Sequence, residues 1–214
     1  MSKKIYLIRH GQSEANAEGR VQGWLDSPLS RLGHRQAHSL ARRLKTVEPA
    51  FFALFSSPLQ RAAQTAHILA ASLQCPLHFE DDLREYNMGP ITGLTYAEIK
   101  EQFPNRHRAF EQNEPLPHLP GAETESVFGG RVQNCMAQIV GRIPHGDAAV
   151  VVAHGGTLNA ILRGWLGLDN HRRRPFSFGN ASISVVTVKP THIRLLRLND
   201  VCHLENMVTS EDLG

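Results

Sequence analysis

The 214-residue sequence has few cysteines and lacks a long apolar run. Its three cysteines, Cys75, Cys135 and Cys202, form no C-x-x-C pair, and their odd number favours free thiols in a reducing compartment over disulfides. The longest apolar run, about Ala148 to Ala153, is far shorter than the roughly 20 residues that cross a membrane. The N-terminus also lacks the apolar core of a signal peptide, so we expect a cytoplasmic protein.

Several motifs of phosphate and nucleic-acid chemistry are absent as well. The sequence has no G-x-x-x-x-G-K-[ST] loop for a nucleotide and no D-x-D pair for an aspartyl-phosphate enzyme. The spacing from Cys135 to Arg142 is one residue too long for a cysteine phosphatase loop. The net charge is only +3, and nine Phe, three Tyr and two Trp form no stacking motif, so a nucleic-acid-binding module is the weaker alternative.

Short strand-like apolar runs alternate with helical apolar stripes along the chain. They predict strands near residues 5–8, 51–55, 77–79, 149–153, 182–188 and 192–198, and helices near residues 30–45, 58–73, 95–103, 106–112, 124–142 and 157–166. This order predicts an α/β sandwich with a mostly parallel sheet, in a single domain over residues 1–214. We expect residues 86–121 to form a lid and the tail after about residue 206 to be frayed.

Two of the predicted strands end in a histidine. Arg9-His10-Gly11 follows the first strand, and His154-Gly155-Gly156 follows the fourth. Ligands of parallel α/β sheets bind at the carboxyl ends of strands, and the N–H groups at helix starts favour anions. Imidazole is a nucleophile toward phosphorus, a neighbouring guanidinium matches phosphate oxygens, and Gly11 is expected to let the backbone approach a ligand. Taken alone, the first tripeptide is equally well interpreted as a strand end without a function.

Six sequence blocks together resemble the histidine phosphatase superfamily, the phosphoglycerate mutase-like proteins. The resemblance spans residues 4 to 204 in the order Leu7–Asn16 (LIRHGQSEAN), Gln22-Gly23, Leu29–Ala37 (LSRLGHRQA), Ser56–Ala66 (SSPLQRAAQTA), Leu83–Glu85 with Gly93–Thr95, and Val151–Gly156 (VVAHGG). It implies a three-layer α/β/α sandwich with a mostly parallel central sheet and a short cap insertion.

The resemblance also implies a role for each matching residue. His10 matches the phosphorylated nucleophile of a histidine acid-type phosphatase, and Glu85 matches its proton donor. The other matches line the phosphate pocket: Arg9, Arg61, His154, Asn16, Gln22, Gly23 and Gly155. No metal or cofactor is expected, because two arginines and a histidine supply the positive charge. The implied partners are a small phosphomonoester and inorganic phosphate, not nucleic acid or a membrane, and dimers are common among similar proteins.

The implied reaction is hydrolysis or phosphoryl transfer to a second acceptor. Cofactor-dependent mutases resemble Glu-Arg-His-Tyr-Gly at the acid, whereas this chain has Glu85–Gly89 (EYNMG), with Met88 in place of the tyrosine and Tyr96 in place of a later lysine. An Arg-Arg pair is also missing from residues 86–121, which leaves less charge for a bisphosphate. The pattern favours a broad-specificity phosphatase. The alternatives are a phosphoglycerate mutase and a phosphate- or nucleic-acid-binding relative without turnover.

The substrate is not fixed by these motifs. Sugar phosphates, phosphoserine, phosphoglycerates and α-ribazole phosphate all stay open. The basic run His171–Arg174 is most simply a solvated turn, and the alternative is a contact with an acidic part of the substrate or with nucleic acid. His203 is equally well interpreted as a core or surface residue or as a substrate contact. The lid over residues 86–121 is expected to set specificity and to be partly apolar. The segment contains Phe103, Phe110, Leu116 and Leu119, which indicate this apolar character.

The strand-end histidine gives a direct prediction. Replacing His10 by alanine removes the nucleophile, so phosphate release from every substrate of the wild-type protein should fall to background. A phosphate-release assay on the purified variant, with circular dichroism to check folding, measures this. Retained turnover would exclude a phosphohistidine mechanism at this residue.

Overall fold

The computed structural model describes residues 2–168, 174–204 and 207. The strands in these ranges are β1 (Lys3–Arg9), β2 (Ala53–Ser56), β3 (Leu77–Phe79), β4 (Ala148–Ala153), β5 (Ile183–Lys189) and β6 (His192–Asp200). The α-helices are α1 (Glu14–Ala17), α2 (Arg31–Val47), α3 (Gln60–Leu73), α4 (Tyr96–Gln102), α5 (Pro104–Glu111), α6 (Glu125–Arg142) and α7 (Gly155–Leu166). None of these helices is both long and apolar enough to cross a bilayer. Apart from Met207, the predicted frayed tail lies outside the described residues.

The strands form one mostly parallel sheet in the order β3-β2-β4-β1-β5-β6. β3, β2, β4 and β1 are parallel to one another, whereas β5 runs antiparallel to both β1 and β6. β4 is buried over its whole length, as expected for a strand covered on both faces. The mostly parallel sheet is confirmed, and so is the hairpin that joins β5 to β6.

Helices cover both faces of the sheet. Along β1, Tyr6 and Ile8 point to one face and pack in the same apolar cluster as residues of α2 and α3. Ile5 and Leu7 point to the other face and join a cluster with residues of α6 and α7. This arrangement is the predicted three-layer α/β/α sandwich.

The lid differs in one respect from the expected apolar cover. Of the four apolar residues named above, only Phe110 lines the cavity described below, together with Met88 and Tyr96 of the same segment. Leu116 is buried in the core, and Phe103 and Leu119 pack against that core. Three of the four side chains expected over the cavity therefore attach the predicted lid to the body of the protein instead.

Two predicted boundaries are wrong. The second strand is predicted to start at Phe51, whereas β2 starts at Ala53. Phe51 is buried, but its burial comes from an edge-on contact with Tyr6 (5.1 Å between ring centroids) and not from strand pairing. Pro58 is predicted in a first helical turn, whereas α3 begins at Gln60, whose N–H donates to Asp26 at 2.7 Å. The Asp26 side chain thus accepts from one of the first N–H groups of α3, as capping side chains do.

Candidate active site

Three neighbouring strands end at one edge of the sheet, and the candidate catalytic side chains follow them. Arg9 and Ala153 are paired where β1 lies beside β4, so the next residues, His10 and His154, lie side by side with ring centroids 5.1 Å apart. β2 pairs with the other side of β4, and Ser57, directly after β2, has its Oγ 2.8 Å from Nε2 of His154. The parallel pairing therefore brings together segments that are distant in the sequence.

These side chains open into a cavity of about 660 Å³. The cavity is lined by every site residue predicted from the sequence: Arg9, His10, Asn16, Gln22, Gly23, Arg61, Glu85, His154 and Gly155. The lid contributes Met88, Tyr96, Phe110 and Asn113. Three polar lining residues, Arg20, Asn113 and Asn159, were not predicted from the sequence, and Arg174 of the basic run also lines the cavity.

His10 is buried, and its ring is oriented by the adjacent backbone. Its Nδ1 lies 2.7 Å from the carbonyl oxygen of Gly11. Because a carbonyl only accepts, Nδ1 donates this hydrogen bond and Nε2 of the neutral ring carries the lone pair. Burial, followed by the positive charges of Arg61 and Arg9, lowers the pKa of His10 well below its usual value. His10 is therefore a neutral imidazole with a nucleophilic Nε2.

Gly11 does not have the role predicted for it. The close approach that requires a glycine is to α2 and not to a ligand, because a Cβ at Gly11 would lie 2.6 Å from the carbonyl oxygen of Gly33. The N–H of Gly11 donates to Oγ1 of Thr65 at 3.1 Å. Gly11 therefore lets the segment after the nucleophile pack tightly against the start of α2.

His154 is also buried and neutral. Burial, together with the positive charge of Arg61, lowers its pKa well below the usual value. Ser57 Oγ, 2.8 Å from Nε2 of His154, accepts a hydrogen bond from the N–H of Leu59 at 3.3 Å. Nδ1 of His154 is buried and has no hydrogen-bond partner among the described residues. His154 lines the cavity, so an unsatisfied ring nitrogen lies at the cavity wall.

Two arginine side chains, the half-buried Arg9 and the buried Arg61, bring positive charge to His10. Arg61 donates to the carbonyls of Leu25 and Gly23, at 2.7 and 2.9 Å. Burial lowers the pKa of Arg61 to about 10, which leaves it charged at neutral pH. Arg9 donates from Nη1 to the carbonyl of Phe178. Because both of the Arg61 contacts are to carbonyls, which are uncharged, its guanidinium keeps a net positive charge at the cavity wall.

The Glu85 carboxylate is held at the start of α7. Its Oε1 accepts from the N–H of Tyr86, and its Oε2 accepts from the N–H of Gly156, both at 2.8 Å. A Cβ at Gly156 would lie 2.3 Å from Oε1 of Glu85, so the contact requires a glycine there. These bonds fix a carboxyl group at the wall of the cavity.

The backbone of Glu85 is fixed by two residues that sequence analysis gave no such role. Its carbonyl accepts from Nε1 of Trp24 at 2.7 Å and from Nη2 of Arg131 at 2.9 Å. Arg131 also forms a two-bond ion pair with Glu123, at 2.7 and 2.9 Å. Arg131 thereby ties the segment that carries the acid to α6.

Asn16 and Gln22 share a polar contact at the cavity wall. Oδ1 of Asn16 accepts from the N–H of Ser13 at 3.2 Å, which leaves the single proton of the Ser13 hydroxyl for Oε1 of Gln22, at 2.8 Å. Because the amide oxygens are engaged there, the amide nitrogens of Asn16 and Gln22 are the groups left to donate toward the cavity.

The lining of the cavity includes two arginines that the comparison of residues 86–121 with mutases did not take into account. The lid contributes no lysine or arginine to the lining, and all of residues 86–121 are described. However, Arg20 and Arg174 line the cavity from other segments. Arg20 donates to Glu18 at 2.7 Å, whereas Arg174 is the last residue of the basic run that is most simply interpreted from the sequence as a solvated turn.

Other candidate groups lie away from this chemistry. Cys135 is buried, and burial raises the pKa of its thiol to about 12, which disfavours a thiolate nucleophile. Nε2 of His203 bonds the carbonyl of Ala181 at 3.1 Å, and His203 does not line the cavity. Within the described ranges, no group of three or more His, Cys, Asp or Glu is arranged to hold a metal ion.

The two neutral histidines predict a pH dependence of stability. Below about pH 6.5 they take up protons in the unfolded chain but not in the folded one, because their folded pKa values are depressed. The free energy of unfolding should therefore decrease as the pH is lowered below this value, by up to about 1.4 kcal/mol per pH unit for each histidine. Urea denaturation between about pH 7.5 and about pH 5 measures this. A His10→Asn variant should show a shallower slope, and an unchanged slope would contradict the assignment.

Known proteins share this fold. Probable phosphoglycerate mutase GpmB of Escherichia coli O1:K1 / APEC is 33% identical over 183 residues, which are 86% of this chain and 84% of the relative. The structure of Bacillus stearothermophilus YhfR matches with a TM-score of 0.87 at 28% identity, over 94% of this chain and 99% of that chain. A mycobacterial glucosyl-3-phosphoglycerate phosphatase matches with a TM-score of 0.83 at 28% identity, over 93% and 99% of the two chains. A sequence model of the histidine phosphatase superfamily (branch 1) matches residues 5–201, and the chain therefore belongs to this superfamily.

Proposed function

We propose that this protein is a metal-independent phosphomonoesterase that hydrolyses small phosphorylated metabolites through a phosphohistidine at His10. The orientation of His10 carries the proposal, because the bond from its Nδ1 to Gly11 leaves the Nε2 lone pair for a phosphorus atom. The solved structures that resemble the chain include a protein named as a phosphatase, which supports phosphoryl transfer as the class of reaction.

In the first step, Nε2 of His10 attacks phosphorus and the bond from phosphorus to the ester oxygen breaks. Phosphoryl transfer has a loose transition state, so catalysis depends mainly on positioning and on charge stabilisation. The guanidinium groups of Arg9 and Arg61 stabilise the negative charge on the phosphoryl oxygens. The protonated carboxyl of Glu85 gives its proton to the leaving oxygen.

In the second step, the Glu85 carboxylate takes a proton from water while the water oxygen attacks the phosphohistidine. The phosphorus–nitrogen bond breaks, inorganic phosphate leaves, and the lone pair returns to Nε2 of His10. The bonds from the N–H groups of Tyr86 and Gly156 keep the Glu85 carboxyl in place as acid and then as base. Its two oxygens have lone pairs beyond those that accept these bonds.

His154 completes the phosphate pocket. Ser57 accepts from the N–H of Leu59, so its own hydroxyl proton can go to Nε2 of His154. Nδ1 of a neutral His154 then carries the ring proton and donates to a phosphoryl oxygen. This role accounts for a buried Nδ1 that lacks a partner in the described chain.

A phosphoglycerate mutase is the second candidate. The name of the E. coli relative favours it, and the added charge of Arg20 and Arg174 in the cavity suits a doubly charged ligand. Both reactions use the phosphohistidine and differ in whether water or a second substrate group accepts the phosphoryl group.

A panel of small phosphomonoesters in excess EDTA tests the proposal. The panel includes 3-phosphoglycerate, with and without 2,3-bisphosphoglycerate, and its isomerisation is followed in parallel with phosphate release. We expect phosphate release without added metal and faster than isomerisation. Isomerisation that outpaces release would establish the mutase, and release that depends on added metal would refute metal independence.

Replacing Glu85 by glutamine should separate good from poor leaving groups. An alkyl phosphate needs a proton at its leaving oxygen, so we expect its first turnover to slow by about 10²- to 10⁴-fold. Nitrophenolate leaves without a proton, so a burst of nitrophenol from nitrophenyl phosphate should persist. Rapid-quench and stopped-flow measurements on the same variant compare the two substrates. Equal losses for both would show that Glu85 is not the acid.

A further inference from the structure

Arg174 lines the cavity, but the proposed reaction does not use it. It ends the basic run His171–Arg174, of which the structure describes this last residue alone. It shares the cavity wall with His10 and is contributed by the segment that follows α7. Its side chain is therefore placed to contact a ligand held at His10.

The backbone of Arg174 is fixed by the lid. Asn113, two residues after the end of α5, accepts from the N–H of Arg174 at 2.8 Å and donates to its carbonyl at 2.9 Å. A single side-chain amide thus uses both of its polar ends on one residue. This pairing fixes the backbone of Arg174 relative to the lid before a ligand binds.

A second amide fixes the same segment to the phosphate pocket. Asn159 of α7 accepts from the N–H of Phe176 at 3.0 Å and donates to its carbonyl at 2.9 Å. Its Nδ2 also lies 3.0 Å from the carbonyl of Gly155, next to His154. The segment that carries Arg174 is therefore held to both the lid and the start of α7.

Arg20 and Arg174 differ in how many carboxylates lie close to their guanidinium groups. Arg20 lies 2.7 Å from Glu18 and 3.7 Å from Glu98, so carboxylates already surround it. Arg174 forms no ion pair within the described residues, and its buried Nε has no hydrogen-bond partner there. Glu125 borders a small crevice shared with Arg174, and among the described residues it forms its ion pair with Arg163, at 3.9 Å. The positive charge of Arg174, which no ion pair within these ranges balances, favours an added anion in the cavity.

The cavity has room for more than a phosphoryl group. Its volume of about 660 Å³ falls in the range of pockets that hold ligands of drug size. Tyr96 and Phe110 form an edge-to-face pair on the lid side, with ring centroids 5.8 Å apart, and Phe176 adds a third ring to the lining. Such walls suit an organic body between two charged ends.

We propose that Arg174 is a specificity-determining residue that binds a second anionic group of the substrate, a carboxylate or a phosphate, separate from the transferred phosphoryl group. The inference rests on the proposed function, since it places the phosphoryl group at His10. It assigns the preferred substrates to phosphomonoesters whose organic body carries another negative charge.

Binding of non-hydrolysable phosphonates tests this inference without turnover. The probes are phosphonoalkanoic acids of increasing chain length, each paired with its uncharged carboxamide, and a matching set of bisphosphonates. Isothermal calorimetry is carried out on the wild type and on the Arg174→Gln, Arg174→Lys and Arg35→Gln variants. Arg35 is exposed on α2 and serves as the matched control for the loss of one positive charge.

At the best chain length, the wild type should bind the acid about ten- to a hundredfold more tightly than the amide, as expected for a hydrogen bond between charged groups. Arg174→Gln should reduce this ratio to about one, Arg174→Lys should retain part of it, and Arg35→Gln should retain all of it. The bisphosphonates show whether a phosphate is preferred to a carboxylate at this position.

Three results would overturn the inference. The first is a wild type that does not distinguish acid from amide at any length. The second is a preference that survives in Arg174→Gln. The third is an equal loss of acid and amide binding in Arg174→Gln, which would place Arg174 at the transferred phosphoryl group or in the fold. Failure of the proposed function appears separately, as the absence of phosphate release in the phosphomonoester panel.

Discussion

The parallel pairing of β1 with β4 is the constraint on which the candidate site depends. The two strands are joined by well over a hundred residues, yet their register puts Arg9 opposite Ala153. This register places the histidine after each strand at the same sheet edge, where the cavity lies beside the start of α7. A slip of one residue between β1 and β4 would turn one of the histidines to the opposite face of the sheet. It would also exchange the buried side chains that each strand packs against the two helix layers, and this packing therefore protects the site.

Electrostatics in the cavity are arranged for an anion that arrives from solution. The buried guanidinium of Arg61 contacts two backbone carbonyls, whose dipoles stabilise a cation without cancelling its charge. Two imidazoles stay neutral beside them, because protonation would add positive charge to a desolvated and already positive region. A phosphoryl group that enters loses water but meets fixed donors that need little reorganisation, which is the condition under which electrostatic stabilisation contributes most to catalysis.

The strands and most of the site could be predicted from the sequence because their signals are local. Ile5 to Ile8 and Ala149 to Ala153 form compact apolar runs, and the residues after them carry recognisable motifs. Asn113 and Asn159 could not be predicted, because they meet the segment after α7 only through tertiary contacts. The basic run His171–Arg174 was open to a substrate contact or a solvated turn, and only the fold brings Arg174 to the cavity. Gly11 shows the opposite error, since its place in a motif pointed to a ligand while the packing of α2 explains it.

The bond between the Glu85 carboxylate and the N–H of Gly156 has a consequence for how such sequences diverge. Any side chain at position 156 would occupy the space of the carboxylate, so the identity of one residue is dictated by another that lies 71 positions earlier. Among homologous chains, positions 85 and 156 should therefore covary: glycine is required at 156 only where a carboxylate reaches across to it. A chain that lost the acid would be free to place alanine at the start of this helix, where alanine is the better helix former.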